Sequence, residues 1–281
     1  MLSIYRRRRI VNQINMTASV LVTALGIFLL ASILITLVHY GISGMNLALF
    51  TQMTPAPGES GGLLNAIVGS TILTVFGIAI GAPVGVLAGT FLAEYGKNSR
   101  IADATRFIND ILLSAPSILI GLFIYEVAVV PTRHFSAWAG ALALAVIAIP
   151  VVVRTSEDML QLVPNDLREA ATALGAPRWK VIVLVSYRAA RAGILTGILL
   201  AVARISGETA PLIFTVLSNQ FWSININRQM ANLPIVIYNY ANSPYVDWRQ
   251  LAWAGALLIT AIILAINIIV RMTLGKQTKR T

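Results

Sequence analysis

The chain has 281 residues, of which 57% are hydrophobic and only 11% are charged, and its mean hydropathy is +0.78. A soluble domain carries roughly 25% charged residues, so this composition excludes an ordinary water-soluble protein and indicates a membrane protein with several spans. The formal net charge of +10 belongs to lysines and arginines between apolar segments, which favours membrane topology over nucleic-acid binding as its cause. The absence of cysteine excludes disulfides and thiolate metal sites.

Six apolar segments are each long enough for the roughly 20 residues that a helical span needs. In chain order they cover approximately 14–39, 64–93, 107–130, 137–158, 191–217 and 250–272. The first follows four arginines and is longer than the roughly 7–15 apolar residues of a signal peptide, so we expect it to be a retained membrane helix. The sequence therefore predicts an all-α polytopic membrane protein with six transmembrane helices, folded as a single integral membrane domain over residues 1–281.

The orientation of these helices follows from the placement of the positive residues. Most of the 21 lysines and arginines lie in the N-terminal tail, in the loops after the second and fourth spans and in the C-terminal tail. By the positive-inside rule, this places both termini and the loop after the fourth span in the cytoplasm. The residues that carry the argument are Arg6, Arg7, Arg8, Arg9, Lys97, Arg100, Arg106, Arg154, Arg168, Arg178, Lys180, Arg188, Arg191, Arg271, Lys276, Lys279 and Arg280.

The cytoplasmic loop after the fourth span contains a predicted short helix at 164–175. Pro164 suits a first helical turn, Gly175 can adopt the left-handed conformation that ends a helix, and Pro177 prevents continuation. A helix of this length is marginal in water and needs a surface on which to dock. Its apolar face follows the i, i+3, i+4, i+7 rule and consists of Leu167, Ala170, Ala171 and Leu174.

The loop at 218–249 on the opposite side is rich in aromatic residues and proline, which suits the lipid–water boundary. Within it, Leu233 to Tyr240 is compatible with an interfacial or re-entrant piece, but the interpretation that we favour is a structured extracytoplasmic loop.

The fifth segment carries the charged residues of most interest. Gly193, Gly197, Ala201, Arg204 and Glu208 follow one another at intervals of three or four, so a continuous helix would place them on one stripe. A charge at mid-membrane costs about 2.5–3.5 kcal/mol even on the lenient insertion scale. One interpretation is an ion pair that only holds helices together. The interpretation that we favour is a polar step on a transport pathway, in which Arg204 attracts an anion and Glu208 offsets its charge.

Chemistry of the usual enzymatic kinds has no support in the sequence. The chain lacks the GxxxxGK[ST] loop that cradles nucleotide phosphates, so it does not hydrolyse ATP by that route. No catalytic triad pattern, HExxH motif or carboxylate cluster is present, and neither histidine has a ligand partner nearby in sequence. We therefore expect no catalytic residues, no metal site and no cofactor in this chain.

A resemblance to a known family arises at Glu169-Ala170-Ala171, with Gly175 four residues after Ala171. This pattern resembles the EAA-loop signature of binding-protein-dependent ABC importer permeases, which also precedes the penultimate span on the cytoplasmic side. The segments AVARISGETAPL (201–212), LSNQFW (217–222), ANLP (231–234) and QLAWAG (250–255) are similar to the phosphate-specific permeases of that family.

The resemblance implies a type I importer permease fold, with a core over 64–273 and a cytoplasmic coupling loop at 164–180, in the bacterial cytoplasmic (inner) membrane. It implies a homologous second permease (PstC), two copies of an ATPase (PstB) that binds ATP and magnesium, and a periplasmic phosphate-binding protein (PstS). It also implies that Arg204 and Glu208 act in phosphate passage, and that Leu167, Glu169, Ala170, Ala171, Leu174 and Gly175 couple to the ATPase.

Three alternatives remain open at this point. The first is a permease of the same architecture for another oxyanion, such as molybdate, sulfate or phosphonate. The second is an ion-coupled secondary transporter, for which internal inverted repeats would be expected and none is visible. The third, a membrane enzyme, is disfavoured by the missing catalytic pattern.

Overall fold

The computed structural model describes residues 2–96 and 99–275, and within those ranges its secondary structure is entirely helical. Lys97, Lys276, Lys279 and Arg280, which contribute to the predicted orientation, lie outside the described residues. Five long apolar helices are candidate membrane spans: Ile4–Gly44, Leu64–Tyr95, Ala137–Gln161, Arg178–Ile205 and Val246–Ile269. The protein is therefore a multi-pass membrane protein, as the sequence predicts.

The helices are numbered in chain order as follows: α1 (Leu2–Gly41), α2 (Leu47–Thr51), α3 (Leu64–Thr90), α4 (Arg100–Ser114), α5 (Ser117–Ile124), α6 (Val130–Thr132), α7 (Ala137–Gln161), α8 (Asn165–Ala173), α9 (Arg178–Val181), α10 (Tyr187–Ile205), α11 (Ala210–Thr215), α12 (Leu233–Ala241) and α13 (Val246–Gly275). A short 3₁₀ turn covers Ile42–Gly44, and π-helical turns cover Phe91–Tyr95, Tyr125–Val129 and Ile182–Ser186.

Helix α7 is the centre of the fold, because α3, α10, α11, α4 and α5 all pack against it. Helix α3 approaches α7 closely through glycines at every fourth position. A Cβ atom added at Gly85 would lie 2.6 Å from Cβ of Val152, and one at Gly89 would lie 2.7 Å from Cβ of Ser156. Small residues at this spacing allow two membrane helices to make backbone-level contact. The stripe, which also includes Gly77 and Gly81, is a packing surface that the sequence analysis did not identify.

The prediction of one continuous span at 107–130 is wrong. The chain forms α4 and α5 instead, with a bend of 106° between Arg100–Ser114 and Ser117–Thr132. Pro116 explains the break, because the residue before a proline is driven out of the helical region. Ala115 accordingly has an extended backbone (ψ 133°). A prediction based on hydrophobicity alone does not detect this break, since the residues on both sides of it are hydrophobic.

The predicted fifth span at 191–217 is also displaced. The candidate span is a helical run from Arg178 to Ile205, and α11 is a separate six-residue helix. Gly207 favours a break in the predicted helix, and Pro211 lacks the backbone N–H that would bond to the carbonyl of Gly207. The span therefore begins and ends about 12 residues earlier than the sequence predicts, at Arg178 instead of residue 191 and at Ile205 instead of residue 217.

The loop at 218–249 contains a buried helix, α12, which packs against α13 and α3. The side chain of Asn232 caps it by accepting a hydrogen bond from the N–H of Ile235 at 3.1 Å. Tyr240 stacks on Trp248 with 4.3 Å between ring centroids. This part of the loop is thus a structured element of the bundle. At the other end of the chain, α1 meets α13 only near its C-terminus, where Tyr40 stacks on Trp253.

Candidate functional site

Helix α8 forms where the sequence predicts it. It begins after Pro164, whose backbone is extended, and ends before Gly175, which has φ +80°. The N–H of Gly175 donates to the carbonyl of Thr172 at 2.9 Å, and the N–H of Ala176 donates to that of Ala171 at 3.2 Å. A left-handed glycine that closes the last turn in this way is a common helix stop.

The apolar face of α8 is uncovered by the rest of the described chain. Leu174 is 89% exposed and Leu167 is 47% exposed. Ala170 and Glu169 are exposed as well, and Ala171 is half-buried. An amphipathic helix that lays its apolar face into a groove of another protein is a recurring mode of binding.

Arg168, on the opposite side of α8, faces inward and ties the helix to the bundle. Its Nη2 and Nε donate to Glu94 Oε1 at 2.9 and 3.2 Å. It also donates to the carbonyls of Leu160 at 2.7 Å and Val163 at 2.5 Å, and to Asn165 Oδ1 at 3.4 Å. The Glu94 side chain is only 8% exposed and that of Arg168 only 19% exposed. A displacement of α8 therefore carries the end of α3 with it unless this ion pair breaks.

Arg178 reinforces the same point of attachment from the start of α9. Its Nη2 donates to the backbone carbonyl of Glu94, and its guanidinium lies over the ring of Tyr95 at 4.6 Å from the centroid. Glu94 and Tyr95 belong to the π-helical turn Phe91–Tyr95, a geometry that recurs at functional sites in helices. Arg168 and Arg178 thus converge on the π-helical turn that follows α3.

Arg106 of α4 forms a second ion pair, with Glu157 of α7, and also bonds to the other side of this turn. Arg106 Nε donates to Glu157 Oε1 at 2.8 Å, and Arg106 Nη2 donates to the carbonyl of Leu92 at 3.3 Å. The Glu157 side chain is 5% exposed, so the pair is well shielded on the α7 side. The π-helical turn is consequently fixed to α8, α9 and α4 by charged hydrogen bonds.

Sequence reasoning missed these partners. Glu94 and Glu157 stand at the ends of apolar spans, and a carboxylate in that position already calls for a positive partner. The partner itself was not predictable, since Arg168 lies 74 residues from Glu94 in the chain.

The structure separates Arg204 and Glu208, which the sequence analysis places on one stripe of a continuous helix. Arg204 lies in the last turn of α10 and is exposed, and Glu208 lies in the break before α11 and is half-buried. No ion pair joins them among residues 2–96 and 99–275. The buried stripe of α10 continues from Ala201 to Ile205 instead.

The small residues of that stripe pack as predicted. A Cβ atom at Gly197 would lie 2.5 Å from Cβ of Thr155, and one at Gly193 would overlap the side chain of Met159. The N-terminal half of the stripe is thus the interface between α10 and α7. Its charged end, at Arg204, projects away from that interface.

Helix α11, which follows the break, is wedged between two neighbours. A Cβ atom at Gly121 of α5 would lie 2.6 Å from the Cα of Pro211, and one at Gly140 of α7 would overlap Val216. The interrupted backbone at 206–209 is therefore flanked by tightly packed helices rather than by a flexible loop.

Comparison with known proteins gives the same architecture and a family. Residues 81–276 match the family described as "Binding-protein-dependent transport system inner membrane component". The chain is 58% identical to the phosphate transport system permease protein PstA of Pasteurella multocida (strain Pm70), over 97% of both chains. It is 60% identical to PstA of Haemophilus influenzae (strain ATCC 51907 / DSM 11121 / KW20 / Rd), over 94% of both chains.

The chain belongs to the PstA family of transport permeases. Its fold is similar to that of a solved type I importer permease, described as inward facing conformations of the MetNI methionine ABC transporter. That likeness has a TM-score of 0.56 at 22% identity and covers 74% of this chain and 93% of the other. The region matched to the family extends from the second half of α3 to the end of α13, so it includes α8 and the break between α10 and α11.

Proposed function

We propose that this chain is the membrane permease subunit of an ATP-driven importer that moves inorganic phosphate across the bacterial cytoplasmic membrane. The observation that carries the proposal is the identity of 58–60% to proteins named as phosphate transport permeases, over nearly the whole chain. Both termini lie in the cytoplasm in this proposal, the permease core covers 64–273, and residues 164–180 form the coupling loop.

The partners follow from the subunit's place in such a system. A homologous permease, PstC, completes the membrane pathway, and two copies of the ATPase PstB bind ATP and magnesium. A periplasmic phosphate-binding protein, PstS, delivers the substrate. Helix α1 contacts the rest of the described chain at its C-terminal end, and its most apolar stretch is exposed, so it is available to pack against the second permease.

Helix α8 is the contact with the ATPase in this proposal. Leu167, Ala170, Ala171 and Leu174 seat in a groove of the ATPase, with Glu169 and Gly175 at the edge of the contact. Support comes from the exposure of this face, above all the 89% exposure of Leu174. When ATP closes the ATPase pair, α8 moves, and the Arg168–Glu94 tie passes the motion to α3. The bundle then opens outward, and ATP hydrolysis resets it.

Arg204 and Glu208 line the pathway in this proposal. Arg204 lowers the barrier for an oxyanion, and Glu208 keeps the anion from binding too tightly, since conduction requires release as well as entry. Support comes from the exposure of Arg204 at a helix end within a membrane protein. A charge that faced lipid there would be costly, so a polar partner or a wet path is its favourable environment.

The experiment that tests the coupling uses Glu169→Lys with Leu174→Asp in the assembled complex. Both side chains are exposed and make no hydrogen bond or ion pair within the described chain, so the thermal stability of the chain is expected to stay unchanged. We expect the ATPase to be lost on co-purification and ATP-dependent uptake of labelled phosphate to fall at least tenfold, because a charge in the groove removes apolar burial.

The matched control is Phe221→Asp, which places the same charge on an apolar side chain that is 78% exposed at the opposite side of the bundle. It is expected to retain the ATPase. Normal co-purification and uptake in the Glu169→Lys, Leu174→Asp variant would remove α8 from the contact.

A further inference from the structure

A polar basin lies at the end of α7 that is opposite to α8. It has a volume of about 620 Å³ and is lined by Arg133, His134, Phe135, Asn219, Asn225, Asn227, Arg228 and Gln229. Since α7 has 25 residues, it separates the basin from α8 by roughly 37 Å. This distance is about the thickness of a bilayer including part of its headgroup regions. With α8 in the cytoplasm, as in the function proposed above, the basin opens on the side from which an importer takes its substrate.

The walls of the basin are held in place by backbone hydrogen bonds. The N–H groups of Ala137 and Trp138, in the first turn of α7, donate to the carbonyls of Arg228 and Ile226, both at 3.0 Å. The N–H of Ser136 donates to the carbonyl of Thr215 at 3.2 Å. The loop at 219–229 is thus anchored to the start of α7 and presents its side chains in a fixed arrangement.

Backbone strain is concentrated at the same place. In the described part of the chain, Arg133 and Leu217 are the non-glycine residues with positive φ, at 57° and 56°. Arg133 is in the basin wall, and Leu217 lies two residues before Asn219, which is also in the wall. Left-handed backbone at a non-glycine residue persists only where the surroundings impose it, and it clusters at functional sites.

The chemistry of the lining selects anions. Two arginines and several side-chain amides supply hydrogen-bond donors, and no carboxylate is among the lining residues. Neither Arg133 nor Arg228 forms an ion pair within residues 2–96 and 99–275. Guanidinium groups bind tetrahedral oxyanions by paired hydrogen bonds, and uncompensated positive charge in a concave surface raises the local anion concentration.

The basin also adjoins the segment of the chain that contains Glu208. Thr215, whose carbonyl anchors Ser136, is the last residue of α11, and α11 starts two residues after Glu208. The six residues of α11 span roughly 9 Å. An anion in the basin is therefore about two helical turns from the interrupted backbone at 206–209.

We propose that this basin is an outer vestibule in which Arg133 and Arg228 hold a hydrated inorganic oxyanion before it enters the membrane. The identification of that oxyanion as phosphate rests on the function proposed above. Its volume is too large for one dehydrated oxyanion to fill, so the anion keeps water and binds weakly. Weak, salt-sensitive binding suits an entry site, because the anion has to leave it again.

The electrostatic potential of the basin can be measured through the rates at which charged reagents label a cysteine placed inside it. Because the chain has no cysteine, Asn227→Cys supplies a unique reporter inside the basin, and Asn242→Cys supplies a matched one on an exposed asparagine outside it. Each variant is assembled in the complete transporter in lipid nanodiscs. The labelling rates of this chain are then measured with an anionic and a cationic thiosulfonate reagent of similar size.

We expect the ratio of anionic to cationic labelling rates to be about tenfold higher at position 227 than at 242. Arg133→Gln with Arg228→Gln should abolish the difference, whereas Arg249→Gln, an exposed arginine outside the basin, should leave it unchanged. Inorganic phosphate should slow anionic labelling at 227 more than potassium chloride of the same ionic strength does. The variant with both arginines replaced by lysine should keep most of the difference in rate ratio, because the positive charge remains. It is the control for misfolding of the double glutamine variant.

The vestibule proposal would be overturned if the ratio of anionic to cationic labelling rates were equal at 227 and 242. It would also be overturned if removal of both arginines left that ratio unchanged. Protection by the substrate-binding protein alone with no effect of phosphate would overturn it too, since the basin would then be a protein contact. Phosphate uptake by the complex with the native chain, measured in parallel, tests the proposed function separately. Uptake with no basin effect overturns only this inference.

Discussion

Replacing Arg168 by glutamine is expected to uncouple the transporter and to destabilise the chain. The change leaves the Glu94 carboxylate, 8% exposed, without its positive partner, and it leaves the carbonyls of Leu160 and Val163 without their charged donor. Breaking a buried ion pair by removing one partner costs about 3–5 kcal/mol, and the partial exposure of Arg168 favours the lower end. We expect a lower melting temperature and at least a tenfold loss of phosphate uptake relative to ATP hydrolysis, with the ATPase still bound.

The matched control for Arg168→Gln is Arg154→Gln. Arg154 also pairs with a carboxylate, that of Asp158 at 3.5 Å, but both side chains are about half exposed. Exposed pairs contribute roughly 0–1 kcal/mol, so this variant should keep native stability. The charge swap Glu94→Arg with Arg168→Glu should fail to restore coupling, because a carboxylate at 168 cannot donate to the two carbonyls. Native melting temperature and uptake in Arg168→Gln would exclude the tie as a route for motion.

Replacing Arg204 by glutamine is expected to reduce phosphate uptake strongly while preserving the fold. Arg204 is exposed at the end of α10, so its removal opens no cavity and breaks no ion pair seen in the described chain. Without its charge, the barrier to an oxyanion rises, and we expect uptake to fall by roughly a hundredfold, equivalent to about 2.7 kcal/mol. Arg204→Lys should retain a measurable part of the activity, since the charge remains. Glu208→Gln should lower the turnover rate by strengthening anion retention.

Uptake by proteoliposomes at saturating ATP measures this effect, with co-purification of all subunits as the assembly check. Arg191→Gln is the matched control, because it removes an exposed arginine from the same helix nearer to the coupling end. It should leave the rate within about twofold of the native value. Unchanged uptake in Arg204→Gln with complete assembly would contradict a pathway role for this residue.

Local features of the fold could be predicted because their causes are local. Helix α8 follows from the order of Pro164, the apolar repeat and Gly175, and each signal acts within a turn of where it stands. The two displaced spans were missed for a related reason. Pro116 and Pro211 were visible in the sequence, but whether a proline kinks a membrane helix or ends it depends on the neighbours that satisfy the freed backbone groups.

The charged ties and the outer basin could not be predicted, because they join distant parts of the chain. Glu94 meets Arg168 only after α3, α7 and α8 are packed. Arg133 and Arg228 line the same basin only because the loop at 219–229 is anchored to α7. The helix break at Gly207 also explains why the spacing of Arg204 and Glu208 did not predict their positions correctly. Arg204 and Glu208 are four residues apart, but that spacing places two residues on one face only while the helix continues.

The measurement that tests the central claim most directly is phosphate uptake with and without the ATPase. The purified chain is reconstituted in liposomes alone, or together with the second permease, the ATPase and the loaded phosphate-binding protein. We predict uptake of labelled phosphate against a gradient only by the complete set, only with hydrolysable ATP, and without competition from excess molybdate. Uptake by the chain alone at the rate of the complete set would contradict this account and would favour an ion-coupled transporter.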